Sequence, residues 1–114
     1  MLVLICGDRE WQDEEKIRNR VSKLPKGSTI IHGACRGADL IADKVSRKLG
    51  FSVHPFHADW KKHGLAAGPI RNREMLDKNP TLVLAFHPDL QRSKGTLDTL
   101  IEAAWRGIPV EIIP

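Results

Sequence analysis

A chain of 114 residues, 41% of them apolar, is the size of one domain with a modest core, and a single domain over residues 1–114 is expected. The formal charge of +4 and the isoelectric point near 9.3 are compatible with an anionic partner, but the basic residues are spread among 14 acidic ones and form no tract. Three Trp, three Phe and no Tyr argue against a stacking platform for single-stranded nucleic acid, which needs exposed rings in series.

The chain begins with a continuous apolar run, Leu2 to Cys6, closed by Gly7. A parallel strand buried on both faces reads this way, so this strand is expected at the centre of a sheet. After the polar loop Gly7 to Gln12, Asp13 is placed to cap a helix whose apolar residues Ile17, Val21 and Leu24 recur at helical spacing. Glu14 and Glu15 open that helix, and Lys23 and Lys26 close it, in the order the helix dipole favours. Ser28 to His32 predicts a second strand. It leads through Gly33-Ala34-Cys35-Arg36-Gly37-Ala38-Asp39 into a helix with Ala38, Ile41, Val45 and Leu49 facing inward, ended by Gly50.

Phe51 to Phe56 alternates apolar and polar residues and contains Pro55, which lacks a ladder donor, so a third strand is expected on an edge. A long loop, His57 to Ala67, follows, with Asp59 and Trp60 expected to anchor it, Asp59 by accepting backbone N–H bonds and Trp60 by burying its ring. Pro69 suits the first position of a helix over Ile70 to Lys78. Leu82 to Phe86 is a second wholly apolar run, hence another central strand, and the polar loop His87 to Gly95 comes after it. The last helix is expected from about Thr96, with Leu97, Leu100, Ile101 and Ala104 inward, and Val110 to Ile113 reads as a second edge strand.

This β-α-β-α-β-α-β-α-β succession predicts an α/β, Rossmann-like three-layer domain around a five-stranded parallel sheet. Edge positions for the third and fifth strands give the order 3-2-1-4-5. The crossovers then diverge between strands one and four, and ligands of open α/β sheets bind at that switch point, beyond the carboxyl ends of the strands.

Candidate ligand residues gather at the same edge. Gly33, Ala34, Arg36, Gly37, Ala38 and Asp39 form a glycine-bearing strand-to-helix turn whose N–H groups could approach a phosphate at the positive helix end. A tight turn that merely needs glycine is the plain alternative. Ser93-Lys94-Gly95-Thr96 is a second such turn, with simple capping by Thr96 as its alternative. Between them, the first loop carries Gly7, Asp8, Arg9 and Trp11: Arg9 offers a planar donor fork, and Trp11 either covers a base or ribose or packs on the first helix. Arg71 and Asn72, at the start of the third helix, could reach a ligand from above. The histidines and Asp59 between His54 and His63 match no zinc spacing, so neither metal nor cofactor is expected. Cys6 and Cys35 read as reduced thiols. The run Leu2–Cys6 is too short for a signal sequence or a span, so a cytoplasmic location without membrane contact is expected.

Five ordered blocks carry a family resemblance: Gly7-Asp8-Arg9-Glu10-Trp11, the Gly33 to Asp39 turn, Ala58-Asp59-Trp60, Ala67-Gly68-Pro69-Ile70-Arg71-Asn72-Arg73-Glu74-Met75, and Ser93-Lys94-Gly95-Thr96. Over essentially its whole length the chain resembles the DUF2493, or YspA-like, family of the SLOG superfamily, which includes LOG phosphoribohydrolases and DprA-type proteins. The resemblance implies a nucleotide-derived, phosphate-bearing ligand, such as an ADP-ribose-like compound or a cyclic nucleotide, held by a sensor or sequestering protein. A LOG-like enzyme that cleaves the N-glycosidic bond of a nucleoside monophosphate is the alternative, and DprA-like DNA binding a third reading. LOG enzymes carry a PGGxGTxxE turn whose glutamate serves catalysis. Aligning Gly-Thr on Gly95-Thr96 puts Thr99 at the glutamate position, with Asp98 about 100° around the helix from it. Candidates for an enzyme are therefore Arg71, matching the LOG catalytic arginine, with Glu74, Asp98 or Asp39 as carboxylate. A homo-oligomer is expected from the small domain and its edge strands.

Overall fold

The structure, a computed structural model, describes all residues from Met1 to Pro114. Five strands, β1 (Leu2–Gly7), β2 (Thr29–His32), β3 (Ser52–Pro55), β4 (Leu82–Phe86) and β5 (Val110–Ile113), form one parallel sheet in the order β3-β2-β1-β4-β5. The expected Rossmann-like order is the observed one. Its cause is the pair of apolar runs: β1 and β4 must be covered on both faces, so they take the centre, and the strands carrying Pro55 and Glu111 take the edges.

Side chains alternate along the strands and divide the core in two. Val3, Ile5, Ile30, Leu84 and Phe86 meet α1 (Glu14–Val21) and α2 (Ala38–Lys48) on one face. Leu4, Cys6, Ile31, Val83 and Ala85 meet α4 (Ala67–Leu76) and α5 (Lys94–Trp105) on the other, through Met75, Leu76, Leu100 and Ala103. Phe86 is fully enclosed and stands edge-on to Trp11, ring centroids 5.7 Å apart. Asp13 caps α1 as expected, accepting from the Lys16 N–H at 3.1 Å.

Four local expectations are corrected. The segment His57 to Ala67 is not a plain loop: it contains a short helix, α3 (Trp60–His63), and a 3₁₀ turn over Gly64–Ala66, after which α4 starts at Ala67. Pro69 falls inside the first turn of α4, where an N–H has no helical acceptor anyway. Asp59 does anchor its segment, accepting from the Lys62 N–H at 3.1 Å, but Trp60 is 52% exposed rather than buried. In α2, Ala42 and Ser46 face inward, and Leu49 lies just past its last residue, 39% exposed.

The fourth correction concerns α5, which starts at Lys94 and is capped by Ser93, whose Oγ accepts from the Thr96 N–H at 3.1 Å. Its buried residues are Thr96, Thr99, Leu100 and Ala103, while Leu97 and Ile101 point outward. Both threonine hydroxyls are satisfied nearby, Thr96 Oγ1 on the Gly7 carbonyl at 3.3 Å and Thr99 Oγ1 on the Gly95 carbonyl at 3.2 Å. Their burial therefore carries little of the penalty of an unpaired hydroxyl. No helix is long and apolar enough to cross a membrane.

Helices α1 and α2 are joined at the surface by Glu14, which pairs with Lys44 at 2.9 Å and Arg18 at 2.7 Å. These partners pull the Glu14 carboxyl down from its ordinary 4.5 to about 2, the Lys44 hydrogen bond contributing most. A carboxyl depressed on folding stabilises the fold above its ordinary pKa and loses that contribution as pH falls through the folded value. Glu14→Gln is therefore expected to lower the melting temperature at pH 7, with the difference from wild type closing between about pH 4.5 and pH 2. A difference that persists at pH 2 would mean the change acts by packing.

Candidate functional site

A cleft of about 370 Å³ opens beyond the carboxyl ends of β1, β2 and β4. Its floor exists because β1 ends in glycine. A Cβ at Gly7 would stand 2.8 Å from the Ala38 methyl and collide with the Phe86 carbonyl, so no other residue lets β1, β4 and the start of α2 meet there. Asp8 then ties the first loop down: its N–H donates to the Phe86 carbonyl at 2.9 Å, and its own carbonyl accepts from Trp11 and Ala38. Asp8 Oδ1 accepts from the Glu10 N–H at 3.0 Å. Arg9 is exposed on the cleft wall with no ion-pair partner in the chain, whereas Arg36 pairs with Glu10. That pair is well exposed and adds little stability.

The second turn is shaped by two left-handed residues, Ala34 at φ 57° and Gly37 at φ 77°. A side chain at Gly37 would strike the carbonyls of Asp8 and Arg9. Ala34 is held by the fully buried His32, whose Nδ1 accepts from the Ala34 N–H at 2.9 Å. The His32 proton therefore sits on Nε2, 2.7 Å from Asp43 Oδ2. Arg47 bonds the same carboxyl and, with His32, holds it below the usual carboxylate range.

The amides of this turn are less open than its glycines suggest. Asp39, almost fully buried, accepts through one oxygen, Oδ2, from the Gly33 N–H at 3.1 Å and the Cys35 N–H at 3.2 Å. The chain thus supplies its own anion where the sequence suggested phosphate, leaving the Arg36, Gly37 and Asp39 N–H groups without a partner. Burial pushes the Asp39 carboxyl above its ordinary value, against the pull of those amides, His32 and Arg71. Asp39 Oδ1 makes no hydrogen bond, and the residue lines the cleft.

The third turn is the open one. At the start of α5 the Lys94 and Gly95 N–H groups have no partner, and they stand at the positive end of a 12-residue helix. A Cβ at Gly95 would meet nothing within 4 Å, so packing does not require glycine there.

Arg71 closes the site from above. Only 8% exposed, its guanidinium donates to the Gly33 carbonyl from Nη1 at 2.6 Å and to Asn72 Oδ1 from Nε at 3.0 Å. Gly33 has no side chain because that space belongs to Arg71, whose Cζ would be 2.9 Å from a Cβ. Nη2 has no partner within the chain and is not sealed in protein, and Arg71 lines both the cleft and a neighbouring groove. His87, buried at the end of β4, behaves alike: Nδ1 accepts from the Asp89 N–H at 3.0 Å, leaving an Nε2 proton unpaired at the cleft wall.

The cleft brings together Gly7, Asp8, Arg9, Gly33, Arg36, Asp39, Arg71, Asn72, Ser93, Lys94, Gly95 and Thr96 from the sequence-derived candidates. Ala34 and Gly37 border neighbouring grooves, and Ala38 is buried behind the turn. Trp11 is not on the cleft. Its ring is core and its Nε1 donates to the Asp13 carbonyl at 2.8 Å. Of the candidate catalytic carboxylates, Glu74 is exposed and lines neither the cleft nor the α4–α5 groove, and Asp98 lies in that groove. Thr99, not a carboxylate, fills the position on the cleft wall. Sequence reasoning missed His87 and Arg92. The signal for His87 was available, a histidine directly after a central strand, much as His32 ends β2.

Residues 1–63 match the family model described as the YspA, cpYpsA-related SLOG family. The chain belongs to this SLOG family. It is also 41% identical over 117 residues to the Gene 61 protein of Mycobacterium phage D29, an alignment covering 95% of this chain and 92% of that protein. No solved structure matches it at a significant level. SLOG membership gives the chain a function related to nucleotides in the broad sense. The part matched by the family model contains the first two turns of the site, and α4 and α5 of this SLOG chain lie beyond it.

The two glycines make opposite predictions for stability. Gly95→Ala is expected to raise the unfolding free energy by about 0.5–1 kcal/mol, since nothing obstructs the new methyl. Gly37→Ala should lower it by about 1–3 kcal/mol, because a side chain at that positive φ is strained and meets two carbonyls. Urea denaturation measures both, and destabilisation by Gly95→Ala would show that the fold itself needs this glycine.

Proposed function

We propose that this SLOG protein binds a nucleotide-derived, phosphate-bearing ligand of the ADP-ribose or cyclic-nucleotide kind, as a sensor or sequestering protein. The observation that carries the reading is the meeting of an open helix N-terminus with a buried, half-satisfied arginine. Lys94 and Gly95 offer two N–H donors to the cleft, and Arg71 Nη2 and His87 Nε2 bring two more. A phosphate oxygen is the acceptor that these donors lack, and each charge-assisted bond contributes about 1.5–3 kcal/mol. Five cationic side chains line the cleft against three carboxylates, so the local field favours an anion. Gly95 fits the same reading, a position bare of side chain where the ligand comes closest to the backbone.

Enzymatic cleavage of a nucleoside monophosphate is the second reading, and one observation favours it. Asp39 is a buried carboxyl with a raised pKa and a free oxygen in the cleft, the kind of group that serves acid–base chemistry. Against it, the other oxygen is committed to two backbone amides, and the position that aligns with the LOG glutamate is Thr99. Asp39 suits a binding role equally, accepting a ribose hydroxyl.

Thermal unfolding with a panel of ADP-ribose, cyclic nucleotides and nucleoside monophosphates tests both readings. A ligand present at a hundred times its Kd stabilises by about 2.7 kcal/mol, which for a domain of this size moves the melting temperature by roughly 10 °C or more. Arg71→Ala is expected to abolish most of that shift. The same mixtures are then analysed for free base. Base released by wild type and not by Asp39→Asn would replace the binding reading with the enzymatic one, and no shift with any compound would overturn both.

A further inference from the structure

A second hollow adjoins the cleft, and its wall carries the aromatic face that Trp11 does not provide. It measures about 440 Å³ and is lined on its far side by His57, Ala58 and Trp60, while Arg9, Gly33 and Arg71 belong to both spaces. The two hollows thus meet at the arginines, which line both. Trp60 is 52% exposed, which leaves a large apolar ring facing an open concave wall. The far edge of its indole comes near the Arg71 guanidinium: Trp60 Cη2 and Arg71 Nη2 stand 3.6 and 3.8 Å from the point a Cβ on Gly68 would occupy. The position of Trp60 is fixed by the Asp59 cap at the start of α3. Arg9, without an ion-pair partner in the chain, stands on the same shared wall.

We infer that the nucleobase of the ligand packs against Trp60, that the arginines at the junction hold a first phosphate, and that the start of α5 holds a second. The inference rests on the phosphate-cleft reading and narrows it to nucleoside diphosphate derivatives. A phosphate compound without a base fills only the cleft. A nucleoside without phosphate has only the indole. A nucleoside diphosphate spans both, with the base on an aromatic face, one phosphate on Arg71 and Arg9 and the other at the start of α5.

The test uses three probes, ADP, inorganic pyrophosphate and adenosine, titrated calorimetrically against wild type, Trp60→Ala, Trp60→Phe and Arg71→Ala. ADP is expected to bind wild type at least tenfold more tightly than pyrophosphate, and adenosine most weakly. Trp60→Ala should weaken ADP about tenfold or more and leave pyrophosphate within twofold. Trp60→Phe, which keeps a ring, should recover most of the loss. Quenching of tryptophan emission by ADP in a Trp105→Phe background should disappear in the Trp60→Phe, Trp105→Phe double variant. If pyrophosphate binds and needs Arg71 while ADP ignores Trp60, the base subsite is wrong and the phosphate cleft stands. Equal weakening of ADP and pyrophosphate by Trp60→Ala also sinks the subsite, since it would give Trp60 only a structural role. If neither ADP nor pyrophosphate binds wild type, both the subsite and the cleft reading fall.

Discussion

Arg71 donates to the Gly33 carbonyl from a guanidinium that is almost wholly buried, and much of the site follows from that contact. It ties α4, which covers one face of the sheet, to the turn after β2, which leads to α2 on the other face. Arg71 lies against the backbone where a side chain at residue 33 would be, so the observed place of its guanidinium depends on glycine at 33. The same group lines both hollows and keeps one nitrogen without a partner in the chain. Placing a guanidinium out of water costs several kcal/mol unless its donors are satisfied. Here a carbonyl and an amide oxygen take two donors, with Asp39 nearby as countercharge, and the remainder is available to a ligand.

Asp39 sets the polarity of the site in a way that glycine content alone conceals. A buried carboxylate bonded to two amides stiffens the turn after β2 and neutralises the donors that many phosphate-binding turns leave open. The free amides lie on the other side of the switch point, where α5 begins with two unpartnered N–H groups and a bare glycine. The His32–Asp43–Arg47 chain performs a related service behind the turn, fixing Ala34 in its left-handed conformation from beneath. Most of the polar machinery around β2 thus holds the loop. The machinery around α5 and α4 is what remains free to bind.

The fold was legible in the sequence because its decisive signals are local. Leu2–Cys6 and Leu82–Phe86 are unbroken apolar runs, Pro55 and Glu111 mark edges, and strand order follows from these. The site was legible only as a place. That Trp11 is absent from the cleft follows from its packing against Phe86, a contact between residues 75 positions apart that no spacing reveals. The phase of α5 misled because buried Thr96 and Thr99 look polar, and only the structure supplies the carbonyls that satisfy them. Asp39 lies in the helix first turn, where an acidic residue suits the dipole, so its bonds back to Gly33 and Cys35 leave no separate mark in the sequence. The four-residue α3 is shorter than any periodicity can register.

Family membership and cleft geometry converge on a nucleotide-related role from independent directions, one from sequence similarity and one from donors without acceptors. The open donors at the start of α5 lie in a region the family model does not reach. The most direct measurement is a backbone amide nuclear magnetic resonance titration of the ¹⁵N-labelled protein with ADP. The account predicts the largest, saturable shifts at the Lys94 and Gly95 amides, with smaller ones at Arg36 and Gly37. Saturable shifts confined to another face, or none at Lys94 and Gly95, would contradict it.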